Sequence, residues 1–436
     1  MTQAIEFAIV ADDLTGANDS GVQFAAKGLK TGVLLNPHSF DTLAYDVIVT
    51  DTDSRALDPQ EAYDSVFSQV THLKKMGVER IFKKIDSTLR GNIGAEMDAL
   101  YDVTLPDFLC IAIAYPTNKR TVKDGKLFLD GLPVGETEIA RDPKNAVTES
   151  EIAAIISLQS RRESAVITAK MIKDGADWLQ THLLLLKKTG VRYLIFDAET
   201  EFELMALLET MKTLPFSTQW VGSAGIASYM PTFYDVDLHD QVPAVKLVTH
   251  KPILTIVGSV NRHSRAQLDH LLENSTTYPV AFHSASAVDT PAKKHLEKQR
   301  VITEATTALI ANQDVVLYST ATTEAIQLAR DIGQHNRFSA NAVSEEIVKT
   351  MGEICDALLQ TDTIGGLVMT GGDTAKKICT ISDIHGFELL EELQIGVPIA
   401  RLMSDSPLYA ITKAGGFGST DVFLQAITKL KGATQQ

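Results

Sequence analysis

In 436 residues the chain has three cysteines, Cys110, Cys355 and Cys379, and no C-x-x-C pair. So few thiols, in an odd number, exclude a disulfide scaffold and a structural zinc site and fit a reducing compartment. No apolar run approaches the roughly 18 residues that a membrane-spanning helix needs, and the start, MTQAIEFAIV, lacks the basic stretch of a secretion signal. Positive charge is short as well: 40 Lys and Arg face 55 Asp and Glu, a formal net charge of −15. That balance argues against a nucleic-acid partner and leaves any anionic ligand dependent on a few placed cations. The histidines, His72, His263 and His270 among them, form no H-x-x-x-H or H-x-E pattern. No Walker A loop and no G-x-G-x-x-G after a strand is present, which disfavours a P-loop enzyme or a Rossmann dehydrogenase. The expectation is a cytoplasmic protein with neither nucleic-acid nor membrane partners; a homo-oligomer stays open.

What is present is a globular composition, 44% hydrophobic and 22% charged, in a chain too long for one ordinary core. Short apolar runs alternate with segments of helical length. Strands are expected at 7–11, 31–35, 46–50, 80–84, 109–114, 165–169, 193–197 and 219–222, with helices such as 59–77 and 174–189 between them. That alternation implies mostly parallel sheets with helices on both faces. The stretch 122–133 reads as a hairpin leaving the sheet. Around 228–251 three prolines, Pro231, Pro243 and Pro252, and weak periodicity suggest a linker. Alternation restarts with strands at 253–258, 315–319, 367–370 and 408–412, while Val343, Ile347, Met351, Ile354 and Leu358 mark one face of a long helix. No internal repeat can be aligned. The expected fold is α/β: two α/β/α domains, 1–230 and 250–436, with an active-site cleft between them.

The densest stretch is IVADDLTGANDSG, where Asp12 and Asp13 end a strand and a glycine-marked helix begins. In open α/β sheets ligands sit beyond the carboxyl ends of strands. An aspartate there can also simply cap the helix. Two more loops of the first half follow strands: TDTDSRAL with Asp51, Asp53 and Arg55, and KKIDSTLRGNIG with Lys84, Ile85, Asp86, Ser87, Thr88 and Arg90. Parallel neighbours would bring these carboxylates, hydroxyls and cations to one edge, a mixture suited to a small polyhydroxylated acid. Arginine can hold a carboxylate through two parallel bonds, lysine adds a point charge, and a carboxylate can take the proton of an attacking hydroxyl. Salt bridges that merely stabilise loops are the plainer alternative.

The second half offers glycines at strand-to-helix turns: Gly258 and Ser259 in GSVNRHSRAQL, Gly371, Gly372, Asp373 and Thr374 in MTGGDTAKKI, and Gly415, Gly416 and Gly418 in TKAGGFGSTDVF. Such turns let backbone N–H groups and a helix N-terminus approach phosphate. One is weak evidence; three in one half favour a nucleotide site.

ADDLTGANDSG, KKIDSTLRGNIGAE, TGGDTA and TKAGGFGS, in this order over nearly the whole chain, resemble the four-carbon acid sugar kinase family. Within it the stretch from Gly135 to Ser160 is similar to members that act on D-threonate. The resemblance implies that the first domain binds the sugar acid and the second ATP, and that a terminal hydroxyl of threonate, erythronate or 3-oxo-tetronate is phosphorylated to a 4-phosphate. It implies substrate contacts from Asp12, Asp13, Arg55 and Lys84 to Ser87, with Arg90 beside them, and ATP contacts from Ser259, Gly371 to Thr374 and Gly415 to Gly418. Asp12 or Asp13 would orient or deprotonate the hydroxyl, Arg55 and Lys84 would grip the carboxylate, and Mg²⁺ would accompany ATP without a metal motif of its own. The acid pair could instead hold Mg²⁺, so the metal ligands are not assigned. Two rivals compete: a haloacid-dehalogenase-type phosphatase, because Asp51-Thr52-Asp53-Ser54 mimics D-x-D-x-[ST], and a two-domain sugar-acid sensor without chemistry.

Overall fold

The computed structural model describes residues 5–35, 45–141, 145–236, 247–405 and 408–432. The chain separates into two compact units, Met1–Val242 and Pro243–Gln436.

In the first unit the strands are β1 (Phe7–Ala11), β2 (Thr31–Leu34), β3 (Val47–Asp51), β4 (Arg80–Lys84), β5 (Phe108–Ala112), β6 (Arg120–Lys123), β7 (Lys126–Leu129), β8 (Leu132–Pro133), β9 (Ser164–Ile167), β10 (Tyr193–Phe196) and β11 (Thr218–Gly222). The main sheet runs β2-β3-β1-β4-β11-β5-β10-β9, and its neighbours pair in parallel. Its central strands are near-continuous apolar runs because helices cover both faces; FAIVA of β1 is buried at every position. After β1 the chain winds to the β2 edge, returns through β3, then crosses to the far side of β1 as β4. The carboxyl ends of β3, β1 and β4 therefore flank a reversal of winding, and they end level, with Ala11 opposite both Asp51 and Lys84. Loops leaving a sheet at such a reversal diverge and leave room for a ligand.

The excursion at 122–133 is a small antiparallel sheet, β6-β7-β8. Asp124 and Gly125 both take positive φ, +50° and +72°, as a tight hairpin requires. The Asp197 carboxylate accepts both of their N–H groups, at 2.8 and 2.9 Å.

The second unit contains β12 (Ile253–Val257), β13 (Tyr278–Phe282), β14 (Val315–Ser319), β15 (Gly366–Thr370), β16 (Gly386–Gln394), β17 (Val397–Met403) and β18 (Tyr409–Lys413). Its strands run β13-β14-β12-β15-β18-β17-β16, parallel as far as β18 and antiparallel beyond. The winding repeats that of the first unit: out to an edge, back beside β12, then over to β15. Here too the strand ends are level, Val257 with Thr370 and Thr370 with Lys413.

The strands expected from sequence are present, their ends shifted by a residue or two. The long helix is Ala340–Leu359, with Val343, Met351, Ile354 and Leu358 buried. Three strands were not anticipated: β13, β16 and β17. The linker expectation needs correction at its start, where Met230–Phe233 is a short helix of the first unit. Met230 is fully buried there, Phe233 packs on Trp220 at 5.3 Å, and Tyr234 lies against Phe7 at 5.5 Å. Residues 237–246 of that stretch lie outside the described residues. Among the described residues no helix is long and apolar enough to cross a membrane. All three cysteines are buried, and burial pushes their thiols up, away from reactivity.

Candidate active site

The three charged loops of the first unit meet at the carboxyl ends of β1, β3 and β4. Arg55, carried beyond β3, donates from Nε to Asp12 Oδ2 at 2.7 Å and from Nη1 to Asp13 Oδ2 at 2.6 Å; its Nη2 lies 3.8 Å from Asp86 Oδ1. Asp13 also caps the helix Leu14–Ala25, its Oδ1 accepting the Gly16 N–H at 2.7 Å. The capping and the functional reading of this aspartate are compatible, because the two oxygens face different partners.

The electrostatics separate the pair. Burial raises the Asp12 carboxyl, but the charges of Arg55, Lys83 and Lys84 outweigh it and bring its pKa below the ordinary value. For Asp13, burial and the charge of Asp12 together exceed what Arg55 and Lys84 take back, so its pKa is raised. Exposure differs in the same sense: the Asp13 side chain is 24% accessible and that of Asp12 3%. Asp12 Oδ1 is buried without a hydrogen-bond partner.

Asp86 is the anchor of the third loop. It accepts from Arg90 Nε at 2.8 Å and Nη2 at 3.0 Å, and from the Thr88 hydroxyl. Burial would raise it, yet Arg90 and Arg55 hold it well below the ordinary value. Within this loop Leu89 is buried at φ +66°, a left-handed conformation that a leucine adopts only when its surroundings enforce it. Ser87 and Arg90 are part-exposed; Ile85, by contrast, is fully buried, and its N–H is committed to the Gly222 carbonyl at 3.0 Å. Lys84 folds over the helix start: a Cβ on Gly16 would lie 2.7 Å from its Nζ and 2.8 Å from Asp13 Oδ1, so a larger residue there would displace both side chains.

A supporting layer was missed in the sequence reading. Lys83 is fully buried and pairs with Glu96 at 2.6 Å; Glu96 also accepts the Ser54 hydroxyl at 2.7 Å, and Lys83 donates to the Lys84 carbonyl at 2.9 Å. Asn92 donates to the carbonyls of Ser54 and Leu57 at 2.9 and 2.8 Å. This layer ties the loops after β3 and β4 to the helix Ile93–Thr104. It also uses the D-x-D-x-S stretch structurally: the Asp51 carboxylate accepts the Asp53 N–H at 2.8 Å, and Ser54 belongs to the buried Glu96 group.

In the second unit the glycine loops after β12, β15 and β18 meet. A Cβ on Gly258 would stand 2.1 Å from Thr374 Oγ1, and one on Gly415 2.7 Å from Ser259 Oγ. Gly371, at φ +97°, would place its Cβ 3.5 Å from Thr374 Oγ1 and 3.6 Å from the Ser259 nitrogen. Glycine at 258 thus permits an approach to Thr374 that a larger residue would disrupt, and glycine at 415 a close approach to Ser259. Asp373, in the first turn of the helix Gly372–Ile381, is exposed. Gly416 faces open space. Gly418 has a turn role instead: its φ is +82°, and its carbonyl accepts from His263 Nε2 at 2.7 Å and Gln267 Nε2 at 3.0 Å. Lys413, absent from the residues singled out in sequence, ends β18 beneath these loops.

Residues 7–230 match the family model described as a sugar-binding N-terminal domain, and residues 254–423 one described as a nucleotide-binding C-terminal domain. The class is therefore a two-part α/β protein that pairs a sugar-binding with a nucleotide-binding fold. A D-threonate kinase of Salmonella typhimurium is 29% identical over 96% of this chain and 97% of that protein, and a D-erythronate kinase of Heliobacterium modesticaldum is 30% identical over 95% and 94%. A crystal structure from Salmonella typhimurium LT2 superposes with a TM-score of 0.81 at 22% identity, covering 97% of this chain and 98% of that one, a likeness of fold alone. The chain belongs to the four-carbon acid sugar kinase family.

Proposed function

We propose that the protein is a cytoplasmic ATP-dependent kinase that phosphorylates the 4-hydroxyl of D-threonate, with residues 1–230 binding the sugar acid and residues 250–436 the nucleotide. D-Erythronate and 3-oxo-tetronate are the competing acceptors. The observation that carries the reading is the meeting of the loops at Gly258, Gly371 and Gly415, where the strand-to-helix turns come within contact distance of one another and glycine leaves the backbone uncovered, the kind of turn that takes a phosphate.

On the acceptor side Asp13 is the base. It is the more exposed of the pair, and its raised pKa improves its ability to take a proton from the hydroxyl. Asp12 stays anionic and, through Arg55, fixes the direction in which Asp13 points. Arg55 is therefore an orienting group for the acid pair before it is a ligand of the substrate carboxylate. Lys84, Ser87 and Arg90 supply charge and hydrogen bonds for the acid itself.

Phosphoryl transfer needs positioning and charge neutralisation more than covalent chemistry. Among the described residues no group of three or more His, Cys, Asp or Glu is arranged to hold a metal by itself. A donor set of phosphates with one carboxylate, Asp373, suits Mg²⁺, whereas Asp12 and Asp13 already have Arg55, Lys83 and Lys84 as counter-charges. When bound, Mg²⁺ would neutralise charge on the transferred phosphate.

The test is ADP release in the presence of ATP, Mg²⁺ and a panel of D- and L-threonate, D- and L-erythronate and 3-oxo-tetronate. Turnover with D-threonate at the highest kcat/KM is expected; no turnover with any of them overturns the reading.

A further inference from the structure

Lys413 is 3% exposed, and among the described residues no carboxylate pairs with it. Its Nζ lies 3.3 Å from the Ser264 hydroxyl, 3.3 Å from the Thr370 hydroxyl and 3.5 Å from the Gly415 carbonyl, and 5.5 Å from the centre of the Phe423 ring. These are long contacts to neutral groups. Burial is the only influence on its titration, and it lowers the pKa to about 7. An ammonium removed from water without an opposite charge is strongly disfavoured, so a fold that keeps one leaves it to be satisfied from elsewhere.

Its position indicates what satisfies it. Thr370 and Lys413 are paired residues at the ends of β15 and β18, and the Gly371 N–H donates to the Lys413 carbonyl at 3.1 Å. Ser264, in the first turn of the helix Arg262–Asn274, donates to the Gly415 carbonyl at 2.8 Å. The ammonium thus lies where the loops after β12, β15 and β18 come together. The charged and titratable groups on the surrounding elements are engaged elsewhere or exposed. Arg265 donates to Ser319, His263 bonds the Gly418 carbonyl, Asp421 accepts from Ser419 and Gln425, and Asp373 is exposed at its helix start.

We propose that Lys413 is a phosphate-binding residue of the nucleotide site, its side chain left without an acidic partner in the free protein and held as the ammonium by the polyphosphate of the bound nucleotide. The proposal rests on the nucleotide-binding reading of the second unit. It has two consequences. Pairing with an anion favours the charged lysine, so nucleotide binding takes up protons at pH values above about 7. In the free protein the folded pKa lies below the ordinary 10.5, so the unfolded chain binds more protons between these values, and stability rises with pH across that window.

The experiment is calorimetric titration of the full-length protein with ADP and Mg²⁺ at pH 8, in two buffers of different ionisation enthalpy, for wild type, Lys413→Met and Lys413→Arg, with thermal melts of each free protein. Wild type is expected to take up a fraction of a proton per ADP. Lys413→Met is expected to lose that uptake and bind at least about tenfold more weakly, while its free form melts higher at pH 7 because an unpaired buried charge is gone. Lys413→Arg, always protonated, is expected to bind without uptake. The proposal is overturned if Lys413→Met melts cooperatively and binds ADP within about twofold of wild type. It is equally overturned if Lys413→Arg keeps the wild-type proton uptake, which decides the matter should the methionine variant not fold. If wild type itself binds no ADP, the nucleotide-binding reading falls and this proposal with it.

Discussion

The Arg55 guanidinium bonds Asp12 through Nε at 2.7 Å, across 43 residues of sequence, and so ties the loop after β3 to the loop after β1. With Nη1 on Asp13, one side chain sets the orientation of both carboxylates. Arg55 is itself packed against Gly91, where a Cβ would lie 3.0 Å from its Cγ.

If Asp13 is the base, Asp13→Asn should lower kcat by about 10²- to 10⁴-fold. Asparagine caps helices as well as aspartate does, so the change removes the charge and spares the helix start. Steady-state kinetics alongside a thermal melt check this; a variant with near-normal kcat removes Asp13 from the role.

The pH profile should show an acid limb. The base must be ionised, and the Asp13 pKa lies above the ordinary 3.8, so kcat falls as pH drops through that raised value. Arg55→Gln removes a charge that lowers both carboxyls and should move the limb to higher pH, in addition to reducing kcat. A limb in the same place in both proteins would contradict the assignment.

On the nucleotide side, Gly258→Ala places a methyl group 2.1 Å from Thr374 Oγ1 in the present geometry and must displace one of the two loops. The KM for ATP should rise at least about tenfold, with the KM for the sugar acid within about twofold of wild type. An effect confined to the sugar acid would place the phosphate elsewhere.

The buried Lys83–Glu96 pair yields a stability prediction. Lys83→Met leaves Glu96 without its cation and should destabilise the first unit by about 3–5 kcal/mol. Adding Glu96→Gln removes the stranded charge and should restore most of the loss. Chemical denaturation of the two variants measures both, and equal losses would mean that the pair is not coupled.

Much of this was legible without coordinates. Buried parallel strands are largely apolar runs, so β1, β3, β12 and β15 stood out, and charges or glycines immediately after strands marked the loops that meet in each unit. Two of the missed strands lack that signature. β13 is YPVAF, an edge strand with its first residues exposed, and β16 is GFELLEELQ, whose spaced acids imitate a helix although its antiparallel pairing with β17 holds it extended.

By itself the sequence determined the α/β alternation, the charged loops of one half, the glycine loops of the other and the family. Those are properties of local pattern, which periodicity and motif express directly. The tertiary structure alone decided that Arg55 serves the acid pair, that the pKa values of Asp12 and Asp13 are shifted in opposite directions, that Glu96 lies beneath the candidate site, and that Lys413 is buried with neutral partners alone among the described residues. Each of these depends on which distant residue shares a low-dielectric space, and linear spacing carries no record of that.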